Sequence, residues 1–275
     1  MAGLLAIDVG NTQTVLGLFE GEELRKHWRV ATESERTGDE LGLLLRGLVD
    51  LSGLEGIAMS STVPPLARAY EELAAREGLE LLVLGPGVST GIAVRYEDPR
   101  EVGPDRIANA AAAFARYGGP CVVVDFGTST TVDAVSARGE FLGGAIAAGL
   151  AVSADALAAR AAALRPVELL VPRSVLGRNT VESMQAGLVL GAAAQVDGLV
   201  ARIGVEVAAR DPHGRGPVAV VASGGLAPLV AAECATVTHH VPDLTLLGLR
   251  SVFARQRVLA DEARDRREKR RAVGG

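Results

Sequence analysis

The chain has 275 residues, of which 48% are hydrophobic, 22% charged and only 3% aromatic, a length suited to one large domain or two of ordinary size. With so few aromatics the core must be built from Val, Leu, Ile and Ala, the composition of sheets covered by helices. A net charge of −5 argues against broad attraction to nucleic acid or anionic membranes.

Leu4–Ile7 and Thr14–Phe19 are apolar runs flanking the polar turn DVGNTQ, which predicts a β-hairpin. ELRKHWRV, residues 23–30, predicts a third and more exposed strand. In residues 37–51, Leu41, Leu44, Leu48 and Leu51 recur at helical spacing, with Thr37 at the N-cap position. GIAMSSTV (56–63) predicts a strand, PPLARAYEELAARE (64–77) a helix opened by proline, and LELLVL (79–84) another strand. Residues 85–99, rich in Gly and Pro, read as a loop, and GPDRIANAAAAFARY (103–117) as a helix.

The pattern then restarts. PCVVVDFGTSTTVDAV (120–135) predicts a second hairpin and EFLGGAIAA (140–148) a strand. A long helix from about Thr180 carries Val181, Met184, Leu188, Ala192, Val196, Leu199, Ile203 and Val207 on one stripe. GPVAVVASGG (216–225) predicts a buried strand ending in a glycine turn, and a further helix begins near Leu244. The same order of elements occurring twice predicts two related α/β domains, 1–118 and 119–260. Residues 261–275, a basic run, are expected to be a flexible solvated tail. Cys121 and Cys234 lack C-x-x-C spacing and read as buried thiols. No basic n-region precedes MAGLLAID, and the apolar stretch from Gly143 to Leu164 is broken by Asp155 and Arg160, so a cytoplasmic protein with no membrane or nucleic-acid partner is expected.

Aligned on their acidic residues, the hairpins put Asp8 on Asp125, Gly10 on Gly127, Thr14 on Thr131 and Val15 on Val132. Each aspartate ends a buried strand, where a carboxylate is costly unless a cation or donor meets it. A glycine follows and lets backbone approach a ligand. Asn11, Thr12, Thr128 and Ser129 supply donors at the turns. That chemistry suits a polyphosphate with its metal ion. Two turns closed by Asx-type hydrogen bonds would use the same residues without a ligand. Recurrence in matching places favours the phosphate reading.

This pattern resembles the acetate and sugar kinase, Hsc70 and actin superfamily. The resemblance implies two duplicated actin-like (ribonuclease H-like) domains with a central nucleotide cleft. VAVVASGGLAPLV, with Gly224 and Gly225, resembles that group's adenosine-contacting turn. YEDPREVGPDRIANA, DFGTSTTVD, GGAIAAG and NTVESMQAG, in this order, are similar to the type III pantothenate kinases, over residues 4 to about 250. Membership would imply ATP-dependent phosphorylation of pantothenate with Mg2+, a monovalent cation (K+ or NH4+) and a homodimer.

The resemblance also distributes roles. Asp8, Val9, Gly10, Asn11, Thr12, Gln13, Thr14 and Val15 would cradle the ATP phosphates, with Asp8 on the magnesium side, and Thr128 would also contact ATP. Asp125 would ligate the monovalent cation. Asp105 would be the general base, and Gly103, Pro104, Asp105 and Arg106 would contact pantothenate together with Tyr96 and Thr180, the last across a subunit interface. Read as residues alone, Asp105 and Arg106 also fit a helix-capping acid with a solvated arginine, Tyr96 a half-buried loop aromatic, and Thr180 an N-cap. Two positions depart from the family pattern: Ala148 where proline is common, and Ser129 where alanine is common. Two rivals stand beside this reading, a kinase or phosphatase of the same superfamily acting on another small molecule, and a regulatory relative that binds nucleotide or DNA without catalysis.

Overall fold

The computed structural model describes residues 3–161, 163–210 and 218–273. β1 (Gly3–Val9) pairs antiparallel with β2 (Gln13–Glu20), from Gly3↔Glu20 to Val9↔Thr14, which is the first predicted hairpin. β3 (Glu23–Ala31) extends it as the more exposed strand. α1 (Gly38–Leu48) opens on a capping box in which the Thr37 hydroxyl accepts from the Glu40 amide and the Glu40 carboxylate accepts from the Thr37 amide. Then come β4 (Leu54–Ser61), α2 (Pro64–Glu77), β5 (Glu80–Val83), a short β6 (Ala93–Val94) within the predicted loop, and α3 (Pro104–Tyr117). The second hairpin is β7 (Cys121–Phe126) and β8 (Ser129–Val135), followed by β9 (Glu140–Ala148) and α4 (Leu150–Arg160). α5 (Thr180–Gln185) runs through a wide π-type turn at Ala186–Leu190 into α6 (Gly191–Arg210). β10 (Ala219–Ser223), α7 (Ala227–Val230), β11 (His239–His240) and α8 (Leu244–Val273) complete the chain. Gly216 and Pro217 of the predicted strand and the last two residues of the tail lie outside the described residues.

The chain divides into two units, one of residues 1–92, 98–112 and 245–275, the other of residues 93–97 and 113–244. In the first, the sheet runs β3-β2-β1-β4-β5, with β4 and β5 parallel to β1. Alternation along β1 sends Leu5, Ile7 and Val9 to one face, packed with Leu41, Leu45, Leu66, Tyr70 and Leu73 of α1 and α2. Leu4 and Ala6 point to the other face, with Ala108 of α3 and Leu246, Leu249, Val252 and Phe253 of α8. Because both faces are covered, β1 reads as a continuous apolar run. Two sequence expectations change here. Residues 245–260 belong to this first unit rather than to a 119–260 domain, because the α8 stripe closes its open face. The basic run is the end of α8, helical to Val273, with Arg266 paired to Glu262 and Arg264 to Glu268 one turn away.

In the second unit the sheet runs β11-β10-β7-β8-β9-β6. Val122, Val124 and Phe126 of β7, with Val220 and Ala222 of β10, pack against Val189, Ala193, Val196 and Val200. The predicted apolar stripe of the long helix therefore faces this core: Met184, Leu188, Val196 and Val207 are buried, whereas Val181 at its start is half exposed. By length and composition Thr180–Arg210, with mean hydropathy 1.5, is also apolar enough to cross a membrane; its packing against the sheet supplies the other use for that composition. Cys121 and Cys234 are buried free thiols, as expected, and burial pushes both up to about 12.

Candidate active site

In the first unit, Asp8 shares the α3/α8 face of the sheet with Leu4 and Ala6. Its carboxylate accepts a 2.7 Å hydrogen bond from the hydroxyl of Ser60, its register partner on β4. Ser60 is fully buried, so this donor is held in place and keeps the acid polar-matched at the strand end. Beyond Val9 the turn is fixed by backbone: the Gly10 amide donates to Gln13 O at 3.1 Å and the Thr32 amide to Thr12 O at 3.0 Å. The Thr32 hydroxyl donates to Gly10 O at 2.8 Å and lies 2.9 Å from the buried Thr14 hydroxyl. Asn11, Thr12 and Gln13 are left on the surface at the tip. A fixed loop with exposed small donors fits phosphate oxygens, and a carboxylate at its base fits the phosphate-bound cation.

The same unit holds Gly103, Pro104, Asp105 and Arg106. Pro104 is the first residue of α3, and the Ile107 amide donating to Gly103 O closes the first helical turn. A Cβ on Gly103 would lie 2.5 Å from Asp105 Oδ1, so the absence of a side chain there makes room for the carboxylate. Arg106 is buried, at 7% exposure, which corrects the alternative of a solvated arginine.

Tyr96, Asp125, Thr128 and Thr180 belong to the second unit. Asp125, the penultimate residue of β7, lies beside Ser223 on β10 and Thr131 on β8, so the three side chains share one face. Here the hairpins differ. Asp8 pairs with Val15, but Asp125 pairs with Thr131, not Val132, because the second turn is one residue shorter. The buried Thr131 hydroxyl has no hydrogen-bond partner. An unsatisfied oxygen beside a carboxylate fits a hard cation, which takes oxygen ligands. Gly224 (φ +94) packs against Asp125 Oδ1, and the Leu226 amide donates to Phe126 O at 3.1 Å, so the glycine turn buttresses this hairpin.

Thr128 is exposed at the turn, and its carbonyl accepts from the Gly149 amide at the start of α4. Tyr96 is half-buried, its ring against Gly143 and 6.3 Å from the Phe141 ring centroid. Thr180 is the first helical residue of α5 and is exposed; the cap is Asn179, whose side chain accepts from the Glu182 amide at 2.9 Å. The capping alternative for Thr180 is thus corrected. Within their own units the structure brings Gly103 to Asp105, Ser60 to Asp8, and Thr131 and Ser223 to Asp125. A depression of about 250 Å³ between α7 and β11, lined by Ala227, Pro228, His239 and His240 among others, contains none of these residues. Sequence reasoning missed Ser60, Thr131, Ser223 and α4. Ser60 and Ser223 were signalled only by a hydroxyl residue near the end of an otherwise apolar strand, and Thr131 only by its alignment with Thr14.

The family described as type III pantothenate kinase matches residues 4–202. The chain belongs to the type III pantothenate kinase family. A type III pantothenate kinase of Acidothermus cellulolyticus is 55% identical over 258 residues, covering 92% of this chain and 98% of that relative. One from Streptomyces griseus is 51% identical over 263 residues, with the same two coverages. Among solved structures, a conserved putative Baf family transcriptional activator from Campylobacter jejuni aligns with a TM-score of 0.55 at 17% identity, over 93% of this chain and 99% of that one. A ROK hexokinase from Thermus thermophilus aligns with a TM-score of 0.50 at 15% identity, over 91% and 98%. These two likenesses concern the fold alone, an α/β architecture.

Proposed function

We propose that this chain transfers the γ-phosphoryl group of ATP to the primary hydroxyl of pantothenate, giving 4′-phosphopantothenate and ADP, the first step of coenzyme A biosynthesis. One observation carries the reading: family membership over residues 4–202, with identity above 50% across nearly the whole length of relatives bearing that name. The hairpin Asp8–Val15 binds the ATP phosphates, and Thr128 contributes from the second hairpin. Asp105 accepts the hydroxyl proton as the oxygen attacks the γ-phosphorus and the bond to ADP breaks. Positioning and charge neutralisation supply most of the acceleration, and the base about 10²- to 10⁴-fold. Gly103, Pro104, Arg106, Tyr96 and Thr180 hold pantothenate, with buried Arg106 as the cationic anchor. Magnesium near Asp8 would offset phosphate charge, and potassium or ammonium at Asp125, with Ser223 and Thr131 beside it, would do so on the second hairpin.

We further read the two sheets as duplicated actin-like domains. Read from opposite ends, β3-β2-β1-β4-β5 and β9-β8-β7-β10-β11 have the same order, pairing sense and terminal aspartate, with β6 as an addition. A cytoplasmic homodimer completes the proposal. The activity is tested by ADP release across a panel of small alcohols and sugars. Pantothenate alone should drive turnover; release driven by a sugar, or salt-sensitive DNA binding without phosphoryl transfer, would overturn the reading.

A further inference from the structure

The C-terminal helix makes an unusually close and specific contact with the helix that carries Asp105. Both α3 up to Ala112 and α8 from Thr245 belong to the first unit. Gly248 of α8 sits on the backbone of Ala108: a Cβ there would lie 2.6 Å from the Ala108 carbonyl carbon and 3.0 Å from its Cα. One residue on, the Thr245 hydroxyl donates a 2.7 Å hydrogen bond to Asn109 Oδ1. Asn109 is 2% exposed and lies amid Ala108, Ala110, Ala111 and Ala113, all buried.

Alanine and glycine surfaces let two helices approach closely, but such contact is non-directional and leaves rotation about the helix axis weakly specified. A hydrogen bond is directional, so it can fix that rotation where apolar contact does not. Asn109 is four residues from Asp105, on the same side of α3. Whatever fixes the rotation of α3 at Asn109 fixes the direction in which Asp105 leaves the helix. A rotation of ~10° moves a group at the ~5–6 Å side-chain radius by about 1 Å. Misplacement on that scale is enough to cost up to about 10²-fold in rate.

We infer that the Asn109–Thr245 hydrogen bond, seated on the Ala108–Gly248 contact, sets the orientation of α3 and so aims Asp105; Asn109 and Thr245 are positioning residues for phosphoryl transfer. This rests on Asp105 being the base. Thr245→Val keeps the shape and removes the donor, and Thr245→Ser restores it. In the full-length protein, Thr245→Val should lower kcat for pantothenate about tenfold with KM for ATP within twofold, and Thr245→Ser should recover most of the loss. Independently of activity, backbone amides 107–110 should exchange with deuterium faster in Thr245→Val than in wild type, and at the wild-type rate in Thr245→Ser. Unchanged exchange at 107–110 in Thr245→Val overturns the inference whatever the substrate. Faster exchange with an unchanged kcat shows that the bond does not aim the base, which also overturns it. Absence of pantothenate turnover in wild type would instead defeat the functional reading.

Discussion

Asp8 and Asp125 are the penultimate residues of corresponding strands, yet their neighbours differ. Asp8 stands between Ser60, which donates to it, and the apolar Val15. Asp125 stands between Ser223 and Thr131, two hydroxyls, and that of Thr131 is buried without a partner. One residue fewer in the turn is responsible, since a one-residue slip changes which side chain shares the face. Around Asp125 this gives one charge and two neutral oxygens, a set suited to a weakly charged cation. Thr131→Val, nearly isosteric, should therefore raise the potassium concentration for half-maximal activity about tenfold, roughly 1.4 kcal/mol of binding. Saturating potassium should restore the rate, and the potassium-induced rise in Tm should shrink. An unchanged potassium requirement would remove Thr131 from the site. The sequence shows both aspartates and the glycine after each, because acid at the end of an apolar run is a local pattern. It does not show the difference in register, since the two eight-residue segments from Asp to Val align without a gap and turn length is decided by backbone geometry.

Among the elements, those with a strong period were legible: both hairpins, α1 with its Thr37 cap, proline-started α2 and α3, and the long helix. α4 was not, because residues 143–164 are so uniformly Ala, Gly and Leu that no side of a helix stands out. Periodicity also left open what the stripe of the long helix packs against, and the structure answers that from Met184 onward it is the core of its own unit. For the proposed dimer, the exposed apolar residues that precede it are the candidate interface. Leu170, Val171, Val175, Leu176 and Val181 are 43–80% exposed, a concentration of apolar side chains around Thr180. The protein should run in light scattering at twice 28.3 kDa, and Leu176→Asp should shift it toward 28.3 kDa. A monomeric wild type, or a variant that stays dimeric, would count against this surface.

At the scale of the whole chain, the repeated order of strands was readable from sequence, whereas the division into units was not. α8 follows β10 and β11 in sequence but joins the first unit, and only the destination of Leu246, Leu249, Val252 and Phe253 reveals this. The path gives the first unit three separate segments, among them the two helices that cover the Asp8 face of its sheet. The proposed mechanism depends on that arrangement through one carboxylate, that of Asp105. The most direct test is pantothenate-dependent ADP release by wild type and by Asp105→Asn, with nucleotide binding measured alongside. Wild type should turn over only with pantothenate present, and Asp105→Asn should lose about 10²- to 10⁴-fold in kcat while binding ATP normally. A variant that keeps the wild-type rate would contradict the account.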